Sequence, residues 1–404
     1  VKIIVIGGGA GGFFSALAAK KANPQATVVI LEKTDKLLSK VQLSGGGRCN
    51  VTHACFNTRL LIQNYPRGAK ELLGPFSRFQ PRDTMEWFES RDVPLKKEKD
   101  GRVFPISNSS DTIINCFLNE SENLGISIRK KTNVSNIQKR EDGFEIFTGE
   151  NQSIHADRII LATGSSKEGW KVAENFGHAI QTPIPSLFTF KASSFELKDI
   201  SGVSVDPVKL KVKGSSFEQK GSLLITHSGF SGPAVLKLSA FAARFIAEKN
   251  YHFFLLVDWL CDLSEEIISQ QLLEERNVHP KKLLGNVRLF PLPKSLWKEF
   301  CCRSGFDEKT SLISLSKKAI FRFCQTLKRD EYQICSKVNN KDEFVTCGGV
   351  TLSEVDFKTM QSKLVKNLFF CGEVLDIDGI TGGFNFQNAW TTGWIAGRES
   401  AIAN

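Results

Sequence analysis

Residues 2–22, KIIVIGGGAGGFFSALAAKKA, read as a strand, a glycine turn and a helix. The apolar run KIIVI suits a strand of a parallel sheet covered on both faces. Gly7-x-Gly9-x-x-Gly12 then falls between strand and helix. In such a turn the first glycine permits the tight bend and the second lets a pyrophosphate approach the backbone. The third allows helix and strand to pack closely, so that the helix N-terminus faces the phosphates. The helix is expected to turn its small residues toward the sheet. A second strand, ATVVILE, ends in Glu32, twenty residues beyond Gly12. A carboxylate there can accept from ribose hydroxyls and would repel a 2′-phosphate. The glycine spacing alone is a weak signal; with the acid it predicts dinucleotide binding.

NAD and FAD share that first motif, so the rest of the chain must separate them. ADRIILATGSS ends a strand at Ala162-Thr163-Gly164, and KNLFFCGE ends another at Gly372-Glu373. FAD folds use a second apolar strand finishing in Gly-acid to hold the extended ribityl-pyrophosphate. The following GITGGFNFQNAW frees the backbone at Gly379, Gly382 and Gly383, and Asn385 is expected to cap the last helix. A helix N-terminus beside the flavin N1–C2=O edge would stabilise the anionic reduced ring. FAD is therefore the expected cofactor.

Between these blocks lies SGGGRCNVTH, residues 44–53. It could wrap a phosphate, hold a redox cysteine or form a plain turn. As a cofactor cradle, Gly45–Gly47 supply backbone freedom. Arg48 and the preceding Lys40 would balance pyrophosphate charge, and Asn50 offers a donor and an acceptor. Cys49 stays open between a redox pair with Cys55 (at the spacing Cys-x5-Cys), a thiol beside the flavin and an inert packed cysteine. His53 and His227 are the histidines nearest these motifs. His227, in THSGFSGP, could act as a general acid or simply pack its loop.

The remaining composition narrows the class. The chain has 404 residues, 41% hydrophobic and 24% charged, with a formal net charge of +10. The excess is moderate, and its short clusters read first as solvated faces, so nucleic acid is the less favoured partner and a small-molecule substrate the favoured one. No leader is visible, and the longest interior apolar run, FFLLV, is far too short to span a bilayer, so no membrane partner is expected. Ten cysteines without a leader predict a reduced cytoplasmic protein, and the absence of Cys-x-x-Cys predicts no metal site. Residues 1–185 and 348–404 read as two halves of one nucleotide-binding α/β domain around an insertion, 186–347, helical over 259–330.

Gly7-x-Gly9-x-x-Gly12 with Glu32, SGGGRCNVT, FPIS (104–107), THSGFSGPA (226–234), GGV (348–350), TMQSK (359–363) and FFCGEVLDIDGITGGFNFQNAW (369–390) occur in one order. In that order the chain resembles the BaiN-like (aminoacetone-oxidase-like) family of bacterial NAD(P)/FAD-dependent oxidoreductases, over nearly its whole length. The resemblance implies a glutathione-reductase-type FAD domain split by a unit that is β-barrel-like over 186–258 and 331–347 and helical between. It also implies a cofactor set of Gly7, Gly9, Ala10, Gly11, Gly12, Glu32, Lys33, Lys40, Gly46, Gly47, Arg48, Cys49, Asn50, Val134, Ala162, Thr163, Gly164, Gly372, Glu373, Asp378, Gly382, Gly383, Phe384, Asn385 and Phe386. The family's name-giving activity is NAD(P)H-dependent reduction of a conjugated carbon–carbon double bond. Two departures are mild: Ser165 follows Ala-Thr-Gly where the family has glycine, and Phe384 replaces a tyrosine, removing a phenol near the flavin. No second GxGxxG follows a strand, so NAD(P)H would bind transiently over the flavin. The competing readings are a flavin-dependent tRNA-modifying enzyme and a non-catalytic flavoprotein or redox sensor.

Overall fold

The computed structural model describes residues 1–149, 152–337 and 345–402. The chain divides into two compact units, Val1–Ile184 with Phe344–Asn404, and Pro185–Glu343.

The first unit is built on a seven-stranded sheet in the order 355–356, 361–362, 368–370, 158–161, 2–6, 27–31, 127–129. The strand Lys2–Ile6 lies inside the sheet and pairs in parallel with both Thr27–Leu31 and Arg158–Leu161. Its side chains Ile3, Ile4 and Val5 are fully buried, as a strand covered on both faces requires. The strand Leu368–Phe370 extends the parallel set beyond Arg158–Leu161. The first and last motifs of the chain thus end on neighbouring parts of one sheet.

The first helix, Ala10–Ala22, and the last, Phe384–Ile402, pack against each other through small residues. A Cβ on Gly393 would stand 2.8 Å from the Gly11 carbonyl oxygen, and one on Gly397 would stand 2.1 Å from that of Ser15. Ser15 and Ala18 therefore face the last helix instead of the sheet. The small residues of the first helix serve close helix–helix approach, because glycine on one side admits backbone on the other.

The second unit contains a closed six-stranded barrel in the order 190–192, 229–231, 218–225, 204–212, 253–258, 330–337. Closure leaves no unpaired strand edge. Alternate residues fill the interior: Val208, Leu210 and Val212 from one strand, Leu255 and Val257 from another. The helices Glu265–Val278, Lys294–Arg303 and Lys317–Lys328 come between the last two barrel strands. The strand Val345–Val350 pairs with Ile180–Ser186 outside the barrel. Of the stretch 331–347 expected to be barrel-like, 331–337 is in the barrel and 338–344 lies outside the described residues.

Candidate active site

The turn from Ile6 into the first helix gives each glycine a separate job. Gly7 has φ +113°, and a Cβ there would stand 2.4 Å from the Ala162 carbonyl oxygen. A Cβ on Gly12 would lie 1.9 Å from the Gly7 carbonyl oxygen. Gly9 is different: a Cβ there would meet nothing within 4 Å. The turn is walled on two sides and open at its middle glycine. Gly9 is also the N-cap of the first helix; no side chain caps it, and its first turn (Ala10, Gly11, Gly12) holds no acid. Free N–H groups and the positive end of the helix dipole therefore face that opening.

Around the opening stand several polar groups. Glu32 Oε2 accepts from Gly8 N (2.8 Å), and Oε1 accepts from Thr34 N and Oγ1 (both 2.9 Å). A carboxylate has about four acceptor positions, so one remains for a ribose hydroxyl. Thr163 Oγ1 is buried with no hydrogen-bond partner among the described residues. Gly164, at φ +59°, turns the chain directly after it. Lys33 pairs with Glu168 across the sheet end (3.3 Å), and Val134 opens the strand Val134–Arg140.

The segment Ser39–Gly47 is helical up to Ser44, where it breaks. Gly45, Gly46 and Gly47 all adopt positive φ, at 58°, 69° and 83°. A Cβ on Gly45 would strike Phe104 at 2.9 Å, whereas Gly46 and Gly47 again face open space. The two cations assigned to pyrophosphate have protein partners. Lys40 Nζ donates to Glu373 and to Ser165 Oγ, and Arg48 donates to Glu98 (2.8 Å) while its guanidinium lies 4.0 Å from the Phe104 ring centroid. Glu373 also accepts from Thr346 N (3.1 Å).

Cys49 answers the question its position raised. It is fully buried, and burial pushes its thiol up to about 12, against a smaller lowering contribution from Ser44. At neutral pH such a thiol holds its proton and is a poor nucleophile. Cys55 and Cys49 are both free, without a disulfide. Cys49 takes φ +59° and acts as a packed turn residue.

The chain after Cys49 brings two distant motifs together. With its amide oriented so that both ends pair, Asn50 donates to Thr52 O (3.1 Å) and accepts from Gly383 N (3.0 Å). His53 Nδ1 lies 3.1 Å from Gly382 O, and its ring stacks on Phe384 at 4.7 Å. Burial lowers the His53 pKa, opposed by its bond to the Gly382 carbonyl. Gly383 can have no side chain, since a Cβ would lie 2.5 Å from the Thr52 carbonyl carbon. Trp390 Nε1 donates to Val51 O (2.9 Å), and Tyr65 Oη to Phe384 O (2.6 Å). Phe386 stacks on Trp390 at 5.5 Å. Beneath them Gln387, fully buried, accepts from Thr52 Oγ1 (2.6 Å) and Thr84 Oγ1 (2.9 Å) and donates to Thr391 Oγ1 (3.0 Å).

Two expected roles change. Asn385 is not the N-cap, because the last helix already includes Phe384. Instead its amide clasps the glycine loop, Oδ1 accepting from Gly379 N (2.8 Å) and Nδ2 donating to Gly379 O (2.9 Å). Asp378 is fully buried and ion-paired with Arg67, a residue the motif reading passed over. The available clue was an acid in the apolar context DIDGI, since a buried carboxylate demands a cation. Gly372 (φ +73°) donates through its N–H to Thr392 Oγ1 (2.9 Å), fixing the strand end to the last helix. His227, in the second unit, is exposed and makes no hydrogen bond among the described residues. No grouping of His, Cys, Asp or Glu among the described residues could hold a metal ion. No helix among them is long and apolar enough to cross a membrane.

Comparison with known proteins gives the family and the fold. The model of the HI0933-like protein Rossmann domain matches residues 1–399. A ribosomal RNA dihydrouridine synthase of Escherichia coli (strain K12) is 29% identical over 413 residues, covering 99% of this chain and 98% of that protein. A 3-dehydro-bile acid delta(4,6)-reductase of Clostridium scindens is 28% identical over 437 residues, covering 99% of each. Among solved structures, the 3-ketosteroid delta1-dehydrogenase from Sterolibacterium denitrificans shares the fold with a TM-score of 0.54 at 12% identity, over 100% of this chain and 99% of that one. The class defined here is that of Rossmann-type, flavin-dependent oxidoreductases. The chain belongs to the HI0933-like Rossmann domain family, in keeping with its BaiN-like motifs.

Proposed function

We propose that the protein is an FAD- and NAD(P)H-dependent reductase of a carbon–carbon double bond conjugated to a carbonyl. The observation that carries this reading is the junction of Asn50 and His53 with Gly383 and Gly382. It supports assigning the two loops to one isoalloxazine site, with the first turn as the pyrophosphate site. The residues present fit FAD: Gly9, Gly46 and Gly47 leave space a Cβ would fill, and buried Thr163 Oγ1 has an unused hydrogen-bonding capacity. In this reading Gly9–Gly12 bind the pyrophosphate at the first helix, Glu32 accepts from the adenosine ribose, and the N-terminus of the last helix faces the pyrimidine edge of the flavin. Lys40 and Glu373 neutralise each other beside it, so the net field at the phosphates comes mainly from backbone dipoles.

FAD held by Gly9–Gly12, Glu32 and the two glycine loops would supply two-electron hydride chemistry, with NAD(P)H as the donor and a carbon–carbon double bond conjugated to a carbonyl as the acceptor. The chain's part is to exclude water and orient the acceptor: the half-buried His53 ring, backed by the buried ring of Phe384, offers a flat surface for a planar ring. Uracil in RNA and a steroid enone share the required motif, a double bond conjugated to a carbonyl. The relatives named for rRNA dihydrouridine synthesis and for bile-acid reduction each act on such a bond. Anaerobic addition of NADH or NADPH to the purified protein tests the reading. Bleaching of a bound flavin, followed by reoxidation with an enone or a uridine-containing RNA, is expected. A protein that binds no FAD would overturn it.

A further inference from the structure

The positive charge of this protein is concentrated in one place. Residues 281–329 carry twelve lysines and arginines against three acids, a net +9, in a chain whose whole charge is +10. The preceding residues, 259–280, carry five acids and one arginine. Some of the cations are spent internally: Lys282 pairs with Glu275 (2.6 Å), Lys328 with Asp258 (2.7 Å) and Arg303 with Asp330 (2.7 Å). Six are not. Lys281, Lys294, Lys309, Lys317, Lys318 and Arg322 are exposed and make no ion pair among the described residues.

The fold gathers them. The helix Lys317–Lys328 buries Ile320, Phe323, Cys324 and Leu327, so its period turns Lys317, Lys318, Phe321 and Arg322 outward. Phe321 is 48% exposed within that stripe. The backbone bonds Leu312 N to Lys282 O (2.9 Å) and Ile313 N to Pro280 O (3.0 Å) lay Lys281 beside the lead-in to this helix. Leu284 N to Thr310 O (2.8 Å) does the same for Lys309. Lys317 and Lys318 occupy the first turn of their helix with no acid present, at the positive end of its dipole. That placement is unfavourable to the helix by itself, unlike Glu265 and Glu266 at the start of the acidic helix. On its other flank Phe321 shares a hollow with Glu265, Glu266 and Glu274, which marks the anionic edge of the surface.

We propose that the outward face of the helix Lys317–Lys328, with Lys281 and Lys309, is an RNA-docking surface. Regularly spaced phosphates complement several unpaired cations, and the exposed ring of Phe321 offers a stacking platform for an unpaired base. This rests on the reading of the protein as a reductase of carbonyl-conjugated double bonds, a class to which uracil in RNA belongs.

The test compares the full chain with the K317E/K318E/R322E and F321A variants, using a ribosomal RNA transcript in mobility-shift titrations across a salt series. The wild type is expected to bind with an affinity that falls steeply with salt. The triple variant should lose at least tenfold, and its slope of log K on log salt should shrink by roughly 2 to 3, since each lost phosphate contact removes about 0.7–0.9. F321A should weaken binding severalfold without changing the slope. Flavin content, thermal midpoint and NAD(P)H-driven flavin bleaching should match wild type in every variant. Triple-variant binding equal to wild type, or wild-type binding to anionic vesicles but not to RNA, would overturn the docking surface. Failure to bind flavin would instead sink the reductase reading, and the titrations would report on RNA binding independently.

Discussion

In the turn at the first helix, a Cβ on Gly12 would stand 1.9 Å from a carbonyl oxygen, whereas a Cβ on Gly46 or Gly47 would meet nothing within 4 Å. Both turns are glycine-rich, yet they need glycine for different reasons. Gly7 and Gly12 are required because backbone already occupies the place of a side chain. Gly46 and Gly47 are required by their positive φ and by whatever comes to lie against them. Gly9, at φ −97°, shares only the open space of the second kind although it sits in the first turn. The loop before the last helix returns to the walled kind, with Gly383 against Thr52. Packing glycines and cradle glycines thus alternate around the candidate flavin site, and substitutions separate them.

The largest effect is expected at Gly12. Gly12→Ala has no way to relieve a 1.9 Å clash with backbone, so it should destabilise the protein by more than about 3 kcal/mol and abolish flavin retention, as read by urea unfolding and the visible spectrum. Gln387→Leu attacks the wall behind the second loop. It leaves the hydroxyls of Thr52 and Thr84 buried without their acceptor and should cost about 2–4 kcal/mol in the same urea experiment, with flavin still bound at saturating FAD. Gly46→Ala should cost only about 1–2 kcal/mol, the left-handed backbone penalty, while weakening FAD binding more than stability. Equal stability losses in Gly12→Ala and Gly46→Ala would break the distinction.

Acid probes two histidines of the first unit without mutation. Burial lowers the pKa of His53 and of His178, the latter holding Glu354 (2.9 Å) and Ser362 (2.8 Å). Both groups are held neutral in the folded chain and protonate more readily when unfolded. Their contribution to stability is therefore complete above an unfolded value near 6.5 and is lost as pH falls through the lowered folded values. The urea midpoint should drop between pH 7 and pH 5, and the His53→Gln/His178→Gln double variant should show a shallower drop. The smallest effect belongs to Cys49→Ser. With a thiol pushed up to about 12 and no exposure, the rate of flavin reduction should change less than about threefold. A thiol reagent should label the exposed Cys302 and spare Cys49 in the native protein.

Much of this was legible in short windows. The strand–turn–helix at residues 2–22, Glu32 at the second strand end and the glycines before the last helix all depend on local geometry. Backbone conformation and periodicity are encoded within a few residues of where they act, so a linear reading recovers them. The small residues of the first helix were visible too, but which neighbour they serve was not, since sheet and last helix both demand close approach.

What only the tertiary structure decided is who meets whom. Lys40 and Arg48 are cations in any reading, yet only the fold supplies Glu373 and Glu98 to pair with them. Arg67 finds Asp378 across more than three hundred residues, Asn385 ties back to Gly379, and Cys49 is silenced by burial. The +9 of residues 281–329 can be counted in the sequence, but its face exists only because Ile320, Phe323 and Leu327 turn inward and leave Lys317, Lys318 and Arg322 outside. Charge and burial act through space, falling off over ångströms and not over residues, so the sequence by itself specified the cofactor turns while pairing, reactivity and surface waited for the fold.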